Sequence, residues 1–384
     1  MDTSTRHAVT DARVRIRRLR SQLLTGPRPG SVREVAAGVG ALQAQDTRAA
    51  RLAVRCRSCD LVAADVDRAC GAERAVVRTW LMRGTLHMVA AEDAGWMVAL
   101  LGPGCAAAGR ARRLQLGLDE RTCALALPVI RDRLAALGPL TRQELVREVR
   151  SRGIAVEPVG QAGAHLVAYA GMRGLVCRGP EREGDEPTYV LLEDWVGRPP
   201  DLDAESSLAE LARRYVRGHG PATVDDFARW SGLGLQAARR GMGRAARGLA
   251  EVRIGGQAAL VEPGEEPPDV IGRPPVVRLL GAFDAYLLGY RSRDLALPRR
   301  FARHVQAGGG WIHPAVVVQG EVVGTWRQER SGGRLAVRVR PFEALGEDVL
   351  AGLKAEAEDV GRFLGAEAAL ALDRGVDAKS ELPT

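Results

Sequence analysis

Lysine is almost missing from this chain: Lys354 and Lys379 are the only two among 384 residues, and both lie near the C-terminus. Long apolar runs are missing too. No stretch reaches the roughly 20 uncharged apolar residues that a membrane span requires. Residues 1–20 are polar and Arg-rich with no apolar h-region, so no secretory signal is expected and a cytoplasmic location follows by default. The signatures of familiar hydrolases and nucleotide enzymes are absent: there is no G-x-S-x-G, P-loop, H-E-x-x-H or dinucleotide fingerprint. Cysteine is sparse, with Cys56, Cys59, Cys70, Cys105, Cys123 and Cys177 scattered through apolar or helical contexts. Cys56 and Cys59 make a lone C-x-x-C without a second pair at zinc spacing, so no metal, disulfide or other cofactor is expected.

What is present is arginine. The chain carries 55 Lys+Arg against 47 Asp+Glu, a net charge of +8 and a pI of about 9.6. Arginine is the better fork for phosphate and base edges. An Arg- and Ala-rich composition is also what a GC-rich genome produces, and both readings of the preference stay open. The net positive sign favours a polyanionic partner. At 384 residues and 46% hydrophobic content, the chain suits two to four small domains with cores of ordinary size.

A weak internal repeat organises the chain. Each copy reads as a capped helix, a turn, a second helix and a short β-hairpin, the order of a winged helix-turn-helix. The first copy follows an Arg-rich helix with Ile16, Leu19 and Leu23 on one face. Ser31 and Glu34 form a capping box ahead of Val35, Val39 and Leu42. Gln43 to Asp46 interrupts, and Asp46 caps a helix over 47–57 on which Arg48, Arg51 and Arg55 share a face. Residues 76–89 alternate as a hairpin turning at Arg83-Gly84. The second copy opens on the box of Thr141 and Glu144, with a helix over 161–173 and a wing whose strands, 175–178 and 189–192, flank a charged loop, 181–186. The third follows the breaker His219-Gly220-Pro221, with Thr223 and Asp226 as cap and Gly232-Leu233-Gly234 as turn. Its second helix covers 235–247 and its strands lie near 249–254 and 258–261.

Residues 262–275 read as a linker. Strands at 276–280, 315–318, 322–326 and 335–339, with turns at Gln319-Gly320 and 331–333, suggest a small sheet or barrel. A helix over 347–370 and a polar tail, 373–384, follow. The expected fold class is α+β. It comprises three tandem winged helix-turn-helix units over 1–100 (with the N-terminal helix), 101–200 and 201–265, a C-terminal β-barrel over 276–345, and a terminal helix and tail over 346–384.

Four segments carry a resemblance. They are Leu42-Gln43-Ala44-Gln45-Asp46-Thr47-Arg48-Ala49-Ala50, Arg78-Thr79-Trp80-Leu81-Met82-Arg83-Gly84-Thr85-Leu86-His87, the run from Leu279 through Phe283-Asp284-Ala285-Tyr286 to Arg293, and Val323-Gly324-Thr325-Trp326-Arg327. Together, in this order, they resemble the AlkZ/YcaQ family of bacterial DNA glycosylases. The resemblance implies three tandem winged helices forming a concave DNA-binding surface, followed by a β-barrel, in agreement with the repeat read from caps, periodicity and turns. It implies a monofunctional DNA glycosylase that hydrolyses the N-glycosidic bond of N7-alkylated purines in double-stranded DNA and unhooks interstrand crosslinks. One branch, with Gln-aliphatic-Gln where the general-repair branch has Gln-aliphatic-Asp, protects producers of DNA-alkylating natural products from their own toxins. Gln43-Ala44-Gln45 resembles that self-resistance branch. A monomer, associated with the nucleoid when bound to DNA, is expected.

An amide pair suits such chemistry. An N7-alkylated purine is cationic and already a good leaving group, so a strong general base is less necessary. Gln offers a carbonyl that accepts from water or faces developing positive charge, and an NH₂ that donates to phosphate or base. Gln43 and Gln45 are therefore the expected catalytic residues, Gln45 orienting the water and Gln43 holding it or the deoxyribose. No lysine lies near them, so a Schiff-base lyase step is not expected.

Other residues carry two readings each. Arg48 and Arg51 are expected on phosphate, with a solvated helix face as the alternative. Arg83, Thr85 and His87 lie on the presumed wing and are candidate DNA contacts, although a satisfied structural histidine is the blander account of His87. Tyr286, Arg291 and Arg293 form a polar-aromatic cluster read as DNA contacts. Trp311, after Gly308-Gly309-Gly310, reads as a wedge into the duplex or as a plain loop residue. Asp46 and Asp284 are supporting residues, Asp46 as an N-cap and Asp284 as a partner to an arginine or to the site. Trp80, Trp230 and Trp326 are expected in the core. The alternative from another class is a non-catalytic winged-helix regulator or architectural protein, which binds undamaged DNA and releases no base.

Overall fold

Side-chain caps decide where many of the helices begin. Thr10 caps α1 (Asp11–Ser21) and Ser31 caps α2 (Val32–Val39), each accepting a backbone N–H of the first turn. The structure, a computed structural model, describes residues 9–197, 203–264, 274–331 and 334–374. Ser31 forms only half of the expected box, because Glu34 takes the Ser31 hydroxyl at 2.8 Å instead of its backbone N–H. After α2 come a two-residue strand, β1 (Leu42–Gln43), the helices α3 (Thr47–Arg55) and α4 (Ala63–Cys70), and the hairpin of β2 (Val76–Trp80) and β3 (Leu86–Ala90). The sheet order is β1-β3-β2. Neither β1 nor α4 is expected from the sequence. Two residues are too few to show alternation, and α4 has Val62 at its N-cap, with Asp65 taking the Val62 N–H at 2.7 Å.

The helices α5 (Ala91–Ala108), α6 (Arg110–Gln115) and α7 (Glu120–Leu137) lead to a second unit. It consists of β4 (Leu140–Thr141), α8 (Arg142–Ser151), α9 (Ala162–Met172), β5 (Val176–Arg178) and β6 (Thr188–Leu191), with sheet order β4-β6-β5. The helices α10 (Leu192–Val196) and α11 (Ala204–His219) lead to a third: α12 (Val224–Ser231), α13 (Leu235–Ala245), β7 (Ala250–Ile254) and β8 (Gln257–Val261). Here a single bridge, Ala222 to Leu260, stands in for the short strand. The same order therefore recurs: a helix, a short extended segment, two helices and a hairpin whose second strand pairs with the short segment. The boxes of Thr141 with Glu144 and Thr223 with Asp226 close in both directions, and each threonine ends or directly follows its short segment. In the first unit the strand ends at Gln43 but the cap is Asp46. Ala44 and Gln45 fill a connection that the other two units lack.

The units interlock. One core joins Ala41, Val77 and Val89 through Trp96 and Met97 to Tyr215, Phe227 and Trp230, so the first and third units share it. A Cβ on Gly102 of α5 would lie 2.0 Å from the Met172 carbonyl oxygen of α9, so only glycine permits that approach. As expected, Trp230 and Trp326 are buried, while Trp80 is half-buried and stacks on Tyr189.

The expected linker lies mostly in 265–273, outside the described residues. Beyond it come β9 (Val277–Leu280), α14 (Ala285–Leu288), α15 (Ala302–Val305), β10 (Ala315–Val318), β11 (Glu321–Ser331), β12 (Arg334–Pro341), α16 (Glu347–Leu364) and β13 (Ala368–Leu372). The five strands form one sheet, ordered β13-β12-β11-β10-β9. Among the described residues its edge strands do not pair with each other, so the sheet is open and no closed barrel is found. Instead α16 covers one face, packing Leu353, Ala357 and Val360 on Leu279, Val337 and Val339. The helix expected over 347–370 stops at Leu364, where Gly365 adopts φ 65°. Ala368–Leu372 is rich in helix formers, but parallel pairing with β12 overrides that propensity. The Gln319-Gly320 turn forms with both residues at positive φ, while residues 332–333 of the second turn and the tail from 375 lie outside the described residues. Among the described residues, no helix is long and apolar enough to cross a membrane. The fold is a mixed α+β architecture.

Candidate active site

The two amides meet because a strand and a helix hold their backbones. In β1, Leu42 pairs with Met88 and Gln43 with His87, and the Ala44 N–H extends the ladder to the Leu86 carbonyl at 2.8 Å. Ala44 is 1% exposed and points into the core. Strand alternation then sends Gln43 and Gln45 to the same outer side. Gln43 Nε2 donates to Gln45 Oε1 at 2.8 Å; Gln43 is half-buried and Gln45 exposed. One amide bond spent on the other leaves the pair with a carbonyl on Gln43 and N–H groups on Gln45 for a ligand. A concerted flip of both amides exchanges these roles but keeps one acceptor and one donor.

His87 and Thr79 share the row of Gln43 across the sheet, since Thr79 pairs with His87 in turn. Both are buried, and the Thr79 hydroxyl has no partner among the described residues. His87 Nδ1 lies 2.9 Å from the Thr85 carbonyl, which only accepts, so the proton sits on Nδ1 and Nε2 is left an acceptor. Burial, and then the charge of Arg83, pushes the His87 pKa down to about 3. The ring is neutral at working pH and serves as no acid. Thr85 donates its hydroxyl to the Met82 carbonyl at 3.1 Å.

The helix that follows is anchored at both ends. Asp46 caps α3 as expected, accepting the Ala49 N–H at 2.9 Å. Thr47 donates to Glu181 at 3.0 Å, and Arg78 donates to both Glu181 (2.7 Å) and Thr47 (3.2 Å). Arg51 does not present a free cation to phosphate. Its side chain is 15% exposed and bonds Asp67 at 2.8 Å and Asp185 at 3.0 Å, with Glu181 at 3.6 Å, so the expected contact is corrected to an internal one. Arg55 bonds Glu356, Asp359 and the Leu279 carbonyl at 2.7–2.9 Å. Asp284 proves to be the partner of an arginine: fully buried, it receives both Arg57 Nη groups at 2.7 and 2.8 Å. Arg48 alone of the shared face is exposed and, among the described residues, without an ion-pair partner.

The remaining candidates divide. Tyr286 is 1% exposed and donates its hydroxyl to the Gly320 carbonyl at 2.8 Å, so it is a core residue and no DNA contact. Arg291 is exposed but paired with Asp225. Arg83, at φ 58° on the hairpin tip, donates to the Arg229 carbonyl at 3.4 Å and to that of Trp230. Arg293 donates to the Leu287 carbonyl at 2.7 Å. Burial, followed by the charges of Arg229 and Arg293, lowers the Arg83 pKa, and burial with Arg229 lowers that of Arg293. Arg83, Arg229 and Arg293 thus repel one another, and none has an ion-pair partner among the described residues. Trp311 is 48% exposed with its ring edge-on to Phe283, centroids 4.8 Å apart. Arg229, Thr47, Arg78 and Glu181 were not singled out from the sequence. Thr47 and Arg78 sit inside two of the resembling segments, but nothing local marks Glu181 or Arg229.

The sequence matches the family described as "DNA glycosylase AlkZ-like" over residues 36–363. It is 30% identical over 331 residues to the "Interstrand DNA cross-link repair glycosylase" of Streptomyces sahachiroi, covering 80% of this chain and 85% of that one. The solved structure of Streptomyces sahachiroi DNA glycosylase AlkZ superposes with a TM-score of 0.78 at 25% identity, over 96% of this chain and 100% of the other.

Proposed function

Because this chain belongs to the AlkZ-like DNA glycosylase family, we propose that it excises N7-alkylated purines from double-stranded DNA through the Gln43–Gln45 pair and, like the relative named for that activity, acts on interstrand crosslinks. The observation that carries this reading is the 2.8 Å amide bond, which holds an acceptor and a donor side by side at the end of β1. The C1′–N9 bond breaks with its electron pair going to the cationic purine, which leaves neutral. The water oxygen adds to C1′ of the oxocarbenium-like sugar, and the surplus proton passes to solvent. An amide carbonyl orients that water and faces the developing charge without taking the proton itself. The pair presents one free carbonyl to hold the water and one set of free N–H groups to donate to sugar or phosphate, whichever way the two amides are turned.

The three helix–strand–helix–helix–hairpin units are read as tandem winged helices over 1–100, 101–200 and 201–265, working as a monomer in the bacterial cytoplasm. DNA phosphates are taken by Arg48 and by the Arg83, Arg229 and Arg293 group, whose repulsion a phosphate relieves. Trp311 and Thr85 complete the DNA-facing side, and His87 backs it as a neutral acceptor. A monofunctional enzyme is the reading, since neither lysine of the chain, Lys354 or Lys379, lies near Gln43 and Gln45 in the sequence. Gln rather than Asp at position 45 supports a role in self-resistance to a DNA-alkylating natural product. The regulator alternative has no support, since the matching family, the curated relative and the solved structure all carry the name of glycosylase.

Incubation with N7-methylguanine DNA, followed by alkaline cleavage, tests the reading, and a crosslinked duplex tests its extension. Free modified base and an alkali-labile site are expected, with Gln43→Ala and Gln45→Ala each slower by about a hundredfold or more. Wild-type rates in both variants would remove the amides from the mechanism.

A further inference from the structure

The charged loop between β5 and β6 of the second unit takes no part in the proposed chemistry, yet it reaches the amide segment of the first. Its Glu181 is 134 positions from Thr47 in sequence and bonds it at 3.0 Å. We propose that Glu181 and the Thr47 hydroxyl are positioning residues that hold Gln45 in register with Gln43; the proposal rests on the amide reading above.

Gln45 hangs between two supports. On the strand side, the pairing of Gln43 with His87 and the Ala44 N–H bond to Leu86 fix the backbone. On the helix side, Gln45 is followed by the cap Asp46 and by Thr47, the first residue of α3. Thr47 belongs to a closed ring of three side chains. Its hydroxyl donates to Glu181 and accepts from Arg78 at 3.2 Å, and Arg78 donates to Glu181 at 2.7 Å. Arg78 stands on β2, in the same sheet as β1. The ring therefore ties the first turn of α3 back to the sheet that carries Gln43, with the second unit's loop as the third member. Arg78 is 5% exposed and Glu181 13%, so water screens these bonds little.

Two features separate positioning from mere cohesion. Asp46 already caps α3, and Glu181 already balances Arg78, so neither task requires the Thr47 hydroxyl. What that hydroxyl adds is a fixed distance between helix and sheet. Asp185 on the same loop bonds Arg51 one turn further along α3, so the loop grips the helix at two points. A shift of the first turn by about 1 Å would break the Gln43–Gln45 bond, and displacements of that size cost about a hundredfold in rate at preorganised sites.

The test uses Thr47→Val, which removes the hydroxyl and leaves the Arg78–Glu181 pair, with Thr47→Ser as rescue and Glu181→Gln as a second probe. Single-turnover excision from N7-methylguanine DNA is measured beside DNA affinity and amide hydrogen exchange of Ala49 and Ala50. Excision slower by about tenfold or more in T47V, restored in T47S, with unchanged DNA affinity and faster exchange in the first turn of α3, is the expected result. Wild-type excision by T47V overturns the proposal whatever the exchange shows, and so does slower excision that tracks only weaker DNA binding. The amide reading fails separately, by wild-type excision in Gln45→Ala, which leaves the exchange data as a statement about α3 alone.

Discussion

Arg48 and Arg51 show how two residues of one type and one helix face come to opposite uses. Their spacing places both on the same side of α3, but Arg51 is consumed by Asp67 and Asp185 while Arg48 remains exposed. Arg48→Ala is expected to weaken DNA binding and to lower the slope of log affinity against log salt by about one. Arg51→Ala is expected to leave that slope unchanged and to lower stability. Equal slopes for both variants would contradict the assignment. The histidines make a second residue-scale prediction. His87 and His219 are both pushed to about 3, by burial first. Unfolded histidine titrates near 6.5. Between about pH 6.5 and 3 the unfolded chain binds protons that the folded one refuses, so stability is full above that window and falls as pH drops into it, by up to ~1.4 kcal/mol per pH unit for each ring. A urea midpoint that does not fall between pH 7 and pH 5 would refute this.

The element that matters most is α3. Its arginines look like a DNA-binding stripe in sequence, yet Arg51 faces the second unit and Arg55 faces α16, while Arg57, just past the end of the helix, faces Asp284. A nine-residue helix is thereby fixed to three parts of the molecule, which is what the proposed active-site segment at its N-terminus would require. Breaking the fully buried Arg57–Asp284 pair leaves an uncompensated charge. Asp284→Ala is expected to cost about 3–5 kcal/mol in urea unfolding, and Arg57→Met with Asp284→Leu much less. A double variant as unstable as the single one would show that hydrogen bonding rather than charge compensation dominates there. The other elements were legible to different depths. Caps and alternation located the hairpins and most helices of the units to within a few residues. They could not locate β1, whose two residues have no period, or β13, whose Ala- and Leu-rich sequence favours helix until β12 offers it a partner.

At the scale of the whole molecule, the first hairpin tip, α12 of the third unit and the segment after α14 bring Arg83, Arg229 and Arg293 together. Charge reversal by Arg229→Glu is expected to weaken binding of damaged and undamaged DNA alike without lowering the melting temperature, since it relieves the repulsion on Arg83 and Arg293. Loss confined to damaged DNA would assign the residue to the lesion instead. The threefold repeat, the basic balance and the place of Gln43 and Gln45 before a capped helix were written in local sequence, because caps, turns and periodicity act within a few residues. So was the family, carried by four short segments. The use of each charge was not. Whether an arginine meets a phosphate or a carboxylate depends on which distant loop lands beside it, and no local signal announces that Glu181 will reach Thr47 or that Asp284 will reach Arg57. That the described strands form an open sheet was decided in the same way, by α16 covering a face and by edge strands that do not meet.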